Sequence, residues 1–120
     1  MGYIKDEHII LTCWDDKPLK KMRDKIIGNI NKAFEGDELP DYSNYISPVL
    51  SGLANSTYTL FIPADGSKEG WGTSNAMDEV REQLREDVIR HNARNKERIS
   101  IISVVDEEDG SFYVRRVVGE

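Results

Sequence analysis

The residues best placed to do chemistry lie between Asp65 and Arg81, where a glycine-rich loop leads into a helical pattern. Gly66, Gly70 and Gly72 precede the helix start. Backbone amides in such a loop, together with the helix dipole, can hold an anion. A small-ligand or nucleotide site at this position would use the polar and aromatic residues Asp65, Lys68, Glu69, Trp71, Ser74, Asn75, Asp78 and Arg81.

The glycine spacing differs from both common phosphate-binding motifs. The order G-x-x-x-x-G-K-[ST] is absent, and the segment from Gly70 to Asn75 lacks the third glycine of the dinucleotide fingerprint. A turn at Pro63-Ala64-Asp65-Gly66, a helix cap at Thr73 or Ser74, and Trp71 packed over a sheet edge account for the same residues. We favour this structural interpretation over an anion site.

Cysteine, histidine and carboxylate residues do not form a catalytic pattern. Cys13 could be a nucleophile with His8 or His91 as its base, but a cysteine in an apolar strand pattern is typically a small core residue. Two isolated histidines and one cysteine offer no metal-ligand spacing, and the acidic residues 106–110 lack the alternating ligands of a calcium loop. We therefore do not expect an enzyme, and we assign no catalytic residue, metal or cofactor.

The segment Pro63-Ala64-Asp65-Gly66-Ser67-Lys68-Glu69-Gly70-Trp71, followed by Asp78 and Arg81, resembles a segment of small uncharacterised phage and prophage proteins. It covers about a quarter of the chain, and a segment of that length carries no fold or activity with it. The resemblance implies an origin: a small protein made during infection or encoded by a prophage, in the cytoplasm of the host cell.

A set of basic residues could instead contact nucleic acid. Arginines near the end of the second helical pattern could join those of the last strand in one patch, with Tyr113 as a stacking platform. The residues are Arg90, Arg94, Lys96, Arg98, Arg115 and Arg116. The net charge of −6 opposes this function, because phosphates are repelled at long range. Nucleic-acid binding is therefore the third choice.

Length and composition predict one soluble domain. A chain of 120 residues is the size of a single domain, and 38% apolar with 32% charged residues is typical of a soluble globular protein. A single cysteine cannot form an internal disulfide. The charged N-terminus has no signal-peptide core, and no apolar run is long enough to span a membrane. These features predict a cytoplasmic protein without a membrane partner.

Hydrophobic periodicity predicts the order β-α-β-β-α-β-β. Strands are expected at residues 8–14, 46–53, 57–62, 99–105 and 111–118, with a first helix ended by Gly36, a loop at residues 37–45, and a second helix from Thr73 or Ser74. The first six elements match the split β-α-β pattern of a ferredoxin-like sandwich. The predicted fold is α+β: an antiparallel sheet, two helices on one face, and an extra C-terminal strand beside the fourth.

Protein association is the function that the sequence favours most. Pro48 makes the second strand an edge or bulged strand. The loop at residues 37–45 contains two tyrosines, and the final strand would leave backbone groups free to pair with another strand. The expected partner is a second copy of the chain or another protein, with a small ligand as the alternative.

Overall fold

The structure is a computed structural model, which describes residues 5–34, 45–67 and 70–116. The elements are β1 (Lys5–Cys13), α1 (Asp16–Ala33), β2 (Leu50–Ser51), β3 (Tyr58–Ile62), α2 (Gly72–Arg94), β4 (Ser100–Glu107) and β5 (Phe112–Arg116). They form one antiparallel sheet in the order β2-β3-β1-β4-β5. The predicted α+β class and element order are confirmed, and the ferredoxin-like assignment stays a prediction.

Strand β1 is central, and its side chains alternate between the two faces of the sheet. Ile9, Leu11 and Cys13 are buried, because successive residues of a strand point to opposite faces and these three face the helices. Neighbouring strands add Leu60 and Ile62 to the same inner face. The opposite face, which carries the even-numbered residues of β1, has no helix among the described elements and is called the open face below.

Helix α1 forms where the sequence places a capping acid before an apolar stripe. The Asp15 carboxylate accepts a hydrogen bond from the Lys17 N–H at 3.1 Å, which satisfies one of the unpaired donors at a helix start. Apolar residues at helical spacing then cover the sheet, and Leu19, Met22, Ile26 and Ile30 are buried. The predicted helix end at Gly36 and the loop at residues 37–44 lie outside the described residues.

Helix α2 begins and ends differently from the prediction. It starts at Gly72, and its N-cap is Trp71, which makes no side-chain capping bond; the expected cap at Thr73 or Ser74 is wrong. Trp71 is 53% exposed, so it is not a buried side chain at the sheet edge. The helix continues to Arg94, so the predicted basic tail is partly its last turn.

The two edge strands of the sheet, β2 and β5, differ in length. Strand β2 has only two residues, shorter than predicted, and both are exposed. The Ser47 N–H donates to the Phe61 carbonyl at 3.1 Å, which extends the pairing on the other side of Pro48. The predicted edge position of this segment is confirmed. At the other edge, β5 pairs only with β4 and all five of its residues are exposed.

Candidate functional site

Two arginines of α2 enter the helix–sheet interface one turn apart. Arg81 is 3% exposed and Arg85 7%. Position 85 borders the apolar stripe of the helix, where the buried Leu84 and Val88 lie. Buried cations require partners, so the sheet beneath them must supply acceptors.

The acceptors come from β1, β4 and the loop after β3. Both terminal nitrogens of Arg81 donate to Asp65 Oδ1, Nη1 at 3.0 Å and Nη2 at 2.8 Å. Arg85 Nη2 donates to Glu7, and to Ser103 Oγ at 3.1 Å. Glu7 also joins the two arginines, since its Oε1 lies 3.6 Å from Arg81 Nε. Glu7, Asp65, Arg81, Arg85 and Ser103 are called the arginine cluster below.

The arginine cluster also holds the loop after β3, in which the sequence analysis predicted a candidate ligand site. Ser67 is buried, and its hydroxyl and N–H both donate to Asp65 Oδ2. The hydroxyl of Tyr45 donates to the carbonyl of Pro63, immediately before this loop. Burial raises the pKa of Tyr45 to about 12, and the nearby Asp65 charge acts in the same direction. The described part of the loop is therefore held by internal partners.

Only some of the predicted ligand residues come together. Asp65 and Arg81 bind each other, and Asp78 lies 3.6 Å from Arg81. Ser74 is buried, whereas Trp71 and Asn75 are exposed. Lys68 and Glu69 lie outside the described residues. Because Arg81 already binds Asp65, an anion at this position would have to displace a carboxylate.

Next to the cluster, an open groove of about 240 Å³ lies between α2 and the end of the sheet. Four cations and three carboxylates line it: Lys5, Arg81, Arg85, Arg115, Glu7, Asp78 and Glu82. Arg81 Nε is buried without a hydrogen-bond partner in the described part of the chain. The two signs nearly balance, so the groove has no strong preference for an anion.

Sequence reasoning missed Glu7, Arg85 and Ser103. A signal was present, because Glu7 and Ser103 interrupt apolar alternation at inward positions of β1 and β4. The sheet register places Glu7 opposite Val105 and Ile9 opposite Ser103. Two polar residues therefore meet on an otherwise apolar inner face, where they accept bonds from arginines of the covering helix.

The catalytic alternative has no support in the geometry. Cys13 is 2% exposed, and burial raises the pKa of its thiol, which disfavours the reactive thiolate. His8 lies on the opposite face of β1. The Nε2 of His91 lies 2.7 Å from the Glu97 carbonyl oxygen, a contact that requires Nε2 to be protonated. The described residues contain no cluster of His, Cys, Asp or Glu suited to a metal ion.

The open face carries apolar side chains at its centre. Ile10 pairs with Phe61 on one side and Ile102 on the other, and Val104 pairs with Val114. Val114 is 60% exposed, and the other four are partly exposed. Ile10, Phe61, Ile102, Val104 and Val114 are called the apolar patch below. His8 lies beside the patch residues, paired with Val104 and stacked on Phe61. Polar or acidic rows border the patch, with Asp6 and Asp106 at one end and Thr12, Thr59 and Ser100 at the other.

The predicted basic residues divide between the two faces of the sheet. Arg115 lines the groove beside the arginine cluster. Arg116, the next residue of β5, points to the open face and lines a cavity of about 300 Å³ with Trp14 and Arg98. The expected single patch with Tyr113 therefore does not form, because neighbouring residues of a strand face opposite ways.

A different basic surface lies in the seam between the helices. Lys21 and Lys25 of α1 line a small cleft with Arg90 and Arg94 of α2, together with Met22, Asp87, His91 and Asn95. Asp87 is buried, and its Oδ1 accepts from Arg90 at 3.2 Å and from Gln83 at 3.0 Å. Lys21, Lys25, Arg90 and Arg94 are called the interhelical cations below.

Charge is unevenly distributed along the strand direction. The end where β1 stops and α2 stops holds most of the exposed cations: Lys17, Lys20, Lys21, Lys25, Arg90, Arg94, Lys96 and Arg98. The opposite end, where β1 begins and β4 turns into β5, holds mainly carboxylates: Asp6, Glu7, Asp65, Asp78, Glu79, Glu82, Asp106, Glu107, Glu108 and Asp109. We call these the basic end and the acidic end.

Comparison with models of known protein families found no match, and comparison with curated proteins found none either. The resemblance to small phage proteins therefore stays a prediction. Within the described residues, no helix is long and apolar enough to cross a membrane.

Proposed function

We propose that the protein is a small cytoplasmic accessory protein of phage type that acts by association, and that a second copy packs against its open face. The observation that carries this proposal is the apolar patch. An antiparallel sheet with one face in water normally alternates apolar inward with polar outward residues. Here most of the central outward positions are apolar as well, with His8 the exception on β1, which favours a second covering layer.

The area of the open face supports a dimer. Neighbouring strands lie about 4.8 Å apart and residues about 3.4 Å apart along each strand, so this face measures about 24 Å by about 20 Å. Two copies packed face to face would bury about 1,000 Å² in total, close to the smallest area of a stable interface. Sheets pack in this way in β-sandwiches, with side chains of the two faces interdigitating.

Charge favours one arrangement of the two copies. A two-fold axis across the strands would place the acidic end of one copy, with Asp6 and Asp106, over the end of the partner nearer Arg116. An axis along the strands would place like charges together. Opposite potentials across an interface favour correct register, so we propose the axis across the strands.

The test is the solution mass of the wild type and of two matched variants. Val114→Lys places a charge in the apolar patch at a side chain already 60% exposed, so the monomer should still fold. Leu53→Lys is the control, because Leu53 is fully exposed in the turn between β2 and β3. Light scattering coupled to size exclusion should give dimers for wild type and Leu53→Lys, and a monomer for Val114→Lys.

A monomeric wild type at high micromolar concentration would refute the dimer, and so would a Val114→Lys variant that keeps the dimer mass.

The direction of the two-fold axis is tested by a second set of variants. Arg116→Glu and Asp106→Arg should each weaken the dimer, and the double variant should restore it. Two additive losses without restoration would show that these residues do not face each other.

A further inference from the structure

We infer that the interhelical cations form a binding surface for the phosphate backbone of a nucleic acid. This surface lies on the helix layer, on the other side of the sheet from the apolar patch. It is therefore independent of the proposed dimer, and both can operate in one molecule.

The charge pattern of the two helices carries the inference. Several cations of the two helices are paired along the helix: Lys20 with Asp16, and each of Arg81, Arg85 and the seam residue Arg90 with a carboxylate three residues before it. Arg94 has His91 at that position in place of a carboxylate. Lys21, Lys25 and Arg94 form no ion pair with any described residue.

Folding alone does not explain this arrangement. Like charges four residues apart destabilise a helix, and both helices carry such a pair on the flank that faces the other. Lys21 and Lys25 also lie in the interior of α1, before the last turn, where the helix dipole would favour cations. Arg90 and Arg94 do complement the C-terminus of α2, but that explains only half of the set.

The dimensions suit a backbone rather than a small molecule. The cleft holds only about 70 Å³, too little to enclose a base or a sugar. Side chains four residues apart lie about 6 Å apart along each helix, and packed helices are separated by about 8–10 Å. A strip of this size can meet several successive phosphates, since one strand of helical DNA carries one charge per about 3.4 Å of the axis.

The uneven charge distribution removes the main objection to this partner. A net charge of −6 repels a polyanion only if the charge is spread evenly. Here most carboxylates lie at the acidic end. Asp15, Asp16, Asp24, Asp87 and Glu97 lie at the basic end, but the cations there outnumber them, so the field at that end is locally positive. A polyanion would therefore approach with the acidic end turned away.

The experiment is fluorescence anisotropy of a labelled single-stranded oligonucleotide of mixed sequence, titrated with protein at several salt concentrations. Four phosphate contacts on a single strand predict a slope of log K against log salt of about −2.8, which is about a 50-fold loss of affinity between 50 and 200 mM salt. Binding should be largely insensitive to base sequence, because the proposed contacts are made to phosphates and phosphate contacts carry no sequence information.

The double variant Lys25→Gln with Arg94→Gln removes one unpaired cation from each helix. It should reduce the slope by about 1.4 and weaken binding at least tenfold in low salt. Lys20→Gln with Arg115→Gln is the control, because it removes the same charge outside the seam and should change the slope little. Unchanged thermal midpoints in both variants would show that folding is preserved.

Three results would overturn the inference. The first is no binding in 50 mM salt. The second is an equal loss in the seam variant and the control, which would indicate general attraction to any cation. The third is displacement of the oligonucleotide by polyglutamate at an equal concentration of charge, which would favour an acidic protein segment. The interhelical cations lie on the helix layer, whereas Val114 lies on the open face of the sheet. We therefore expect Val114→Lys to bind the oligonucleotide with the affinity of the wild type, whatever its oligomeric state.

Discussion

At the scale of single residues, Arg81 and Arg85 show how a charge can occupy the helix–sheet interface. Each is held by carboxylates from other elements of the fold, and Glu7 contacts both. Breaking a buried pair is costly because the remaining charge keeps its desolvation penalty without its partner. The arginine cluster therefore sets where α2 sits on the sheet, and it ties the loop after β3 to the helix.

Arg81→Met should destabilise the protein by about 3 kcal/mol, because it leaves the mostly buried Asp65 carboxylate without its cation. Urea denaturation followed by circular dichroism measures the change. Arg94→Met is the matched control on an exposed turn of the same helix and should cost less than about 0.5 kcal/mol. Equal costs for the two variants would contradict a structural role for the cluster.

Tyr45 gives a pH-dependent prediction. Its pKa is raised to about 12, so the folded state keeps the phenol proton above pH 10, where an unfolded tyrosine loses it. The stability that this proton provides is complete below pH 10 and is lost as the pH rises toward 12. Tyr45→Phe should remove this contribution to the alkaline fall in stability, and it should also cost about 1 kcal/mol at pH 7 for the lost hydrogen bond. A spectrophotometric titration that places every tyrosine near pH 10 would contradict the prediction.

At the scale of elements, the connection from α2 to β4 depends on one amide side chain. Asn92 Nδ2 donates to the Ile99 carbonyl at 2.9 Å, and the Ile99 N–H donates to Asn92 Oδ1 at 2.7 Å. Both residues are buried. The side chain thus satisfies backbone groups just before β4 begins, and it fixes the start of that strand against the end of the helix.

Asn92→Leu should destabilise the protein by about 3 kcal/mol, because two buried backbone groups lose their partners. Chemical denaturation measures this, and hydrogen exchange should show faster exchange of the Ile99 amide. Asn95→Leu is the control, since Asn95 is exposed and bonds only within the last turn of α2. A loss below about 0.5 kcal/mol for Asn92→Leu would mean that water replaces the side chain.

Elements and their order were predictable because apolar periodicity is strong in β1, α1, β3 and β4. The ends of α2 were not, because Ser74 was taken as a cap although it is a buried helical residue. The candidate site was predicted in part: Asp65 and Arg81 were named, but their mutual pairing depends on sheet register. Glu7 lies far from both in sequence, so local patterns could not connect it to them.

At the scale of the whole molecule, charge is separated along the strands while the net value stays negative. Net charge alone had argued against polyanions, but the fold brings the cations of two separate stretches of sequence, residues 17–25 and 90–98, together at the basic end. No single stretch of sequence reveals this, since β1, α1 and α2 alternate in direction. The separation of charge between the two ends is therefore a property of the folded structure and was not predicted from the sequence.

This separation predicts unusual behaviour on ion-exchange media. At pH 7 and low salt the protein should bind an anion exchanger, as its pI near 5.0 requires, and should also be retained on a cation exchanger through its basic end. Lys21→Gln with Lys25→Gln should reduce only the second retention. Passage of the wild type through the cation exchanger without delay would show that the charge separation is too weak to act at a surface.

The central place of β1 also affects how the chain is made. Lys5 pairs with Glu107 and Ile9 with Ile62, so β1 leaves the ribosome well before the segments with which it pairs. Until α2 and then β4 have emerged, β1 and β3 can form only part of the sheet, and α1 alone covers their apolar side chains. Synthesis must therefore pass through a long interval in which nascent-chain aggregation competes with folding.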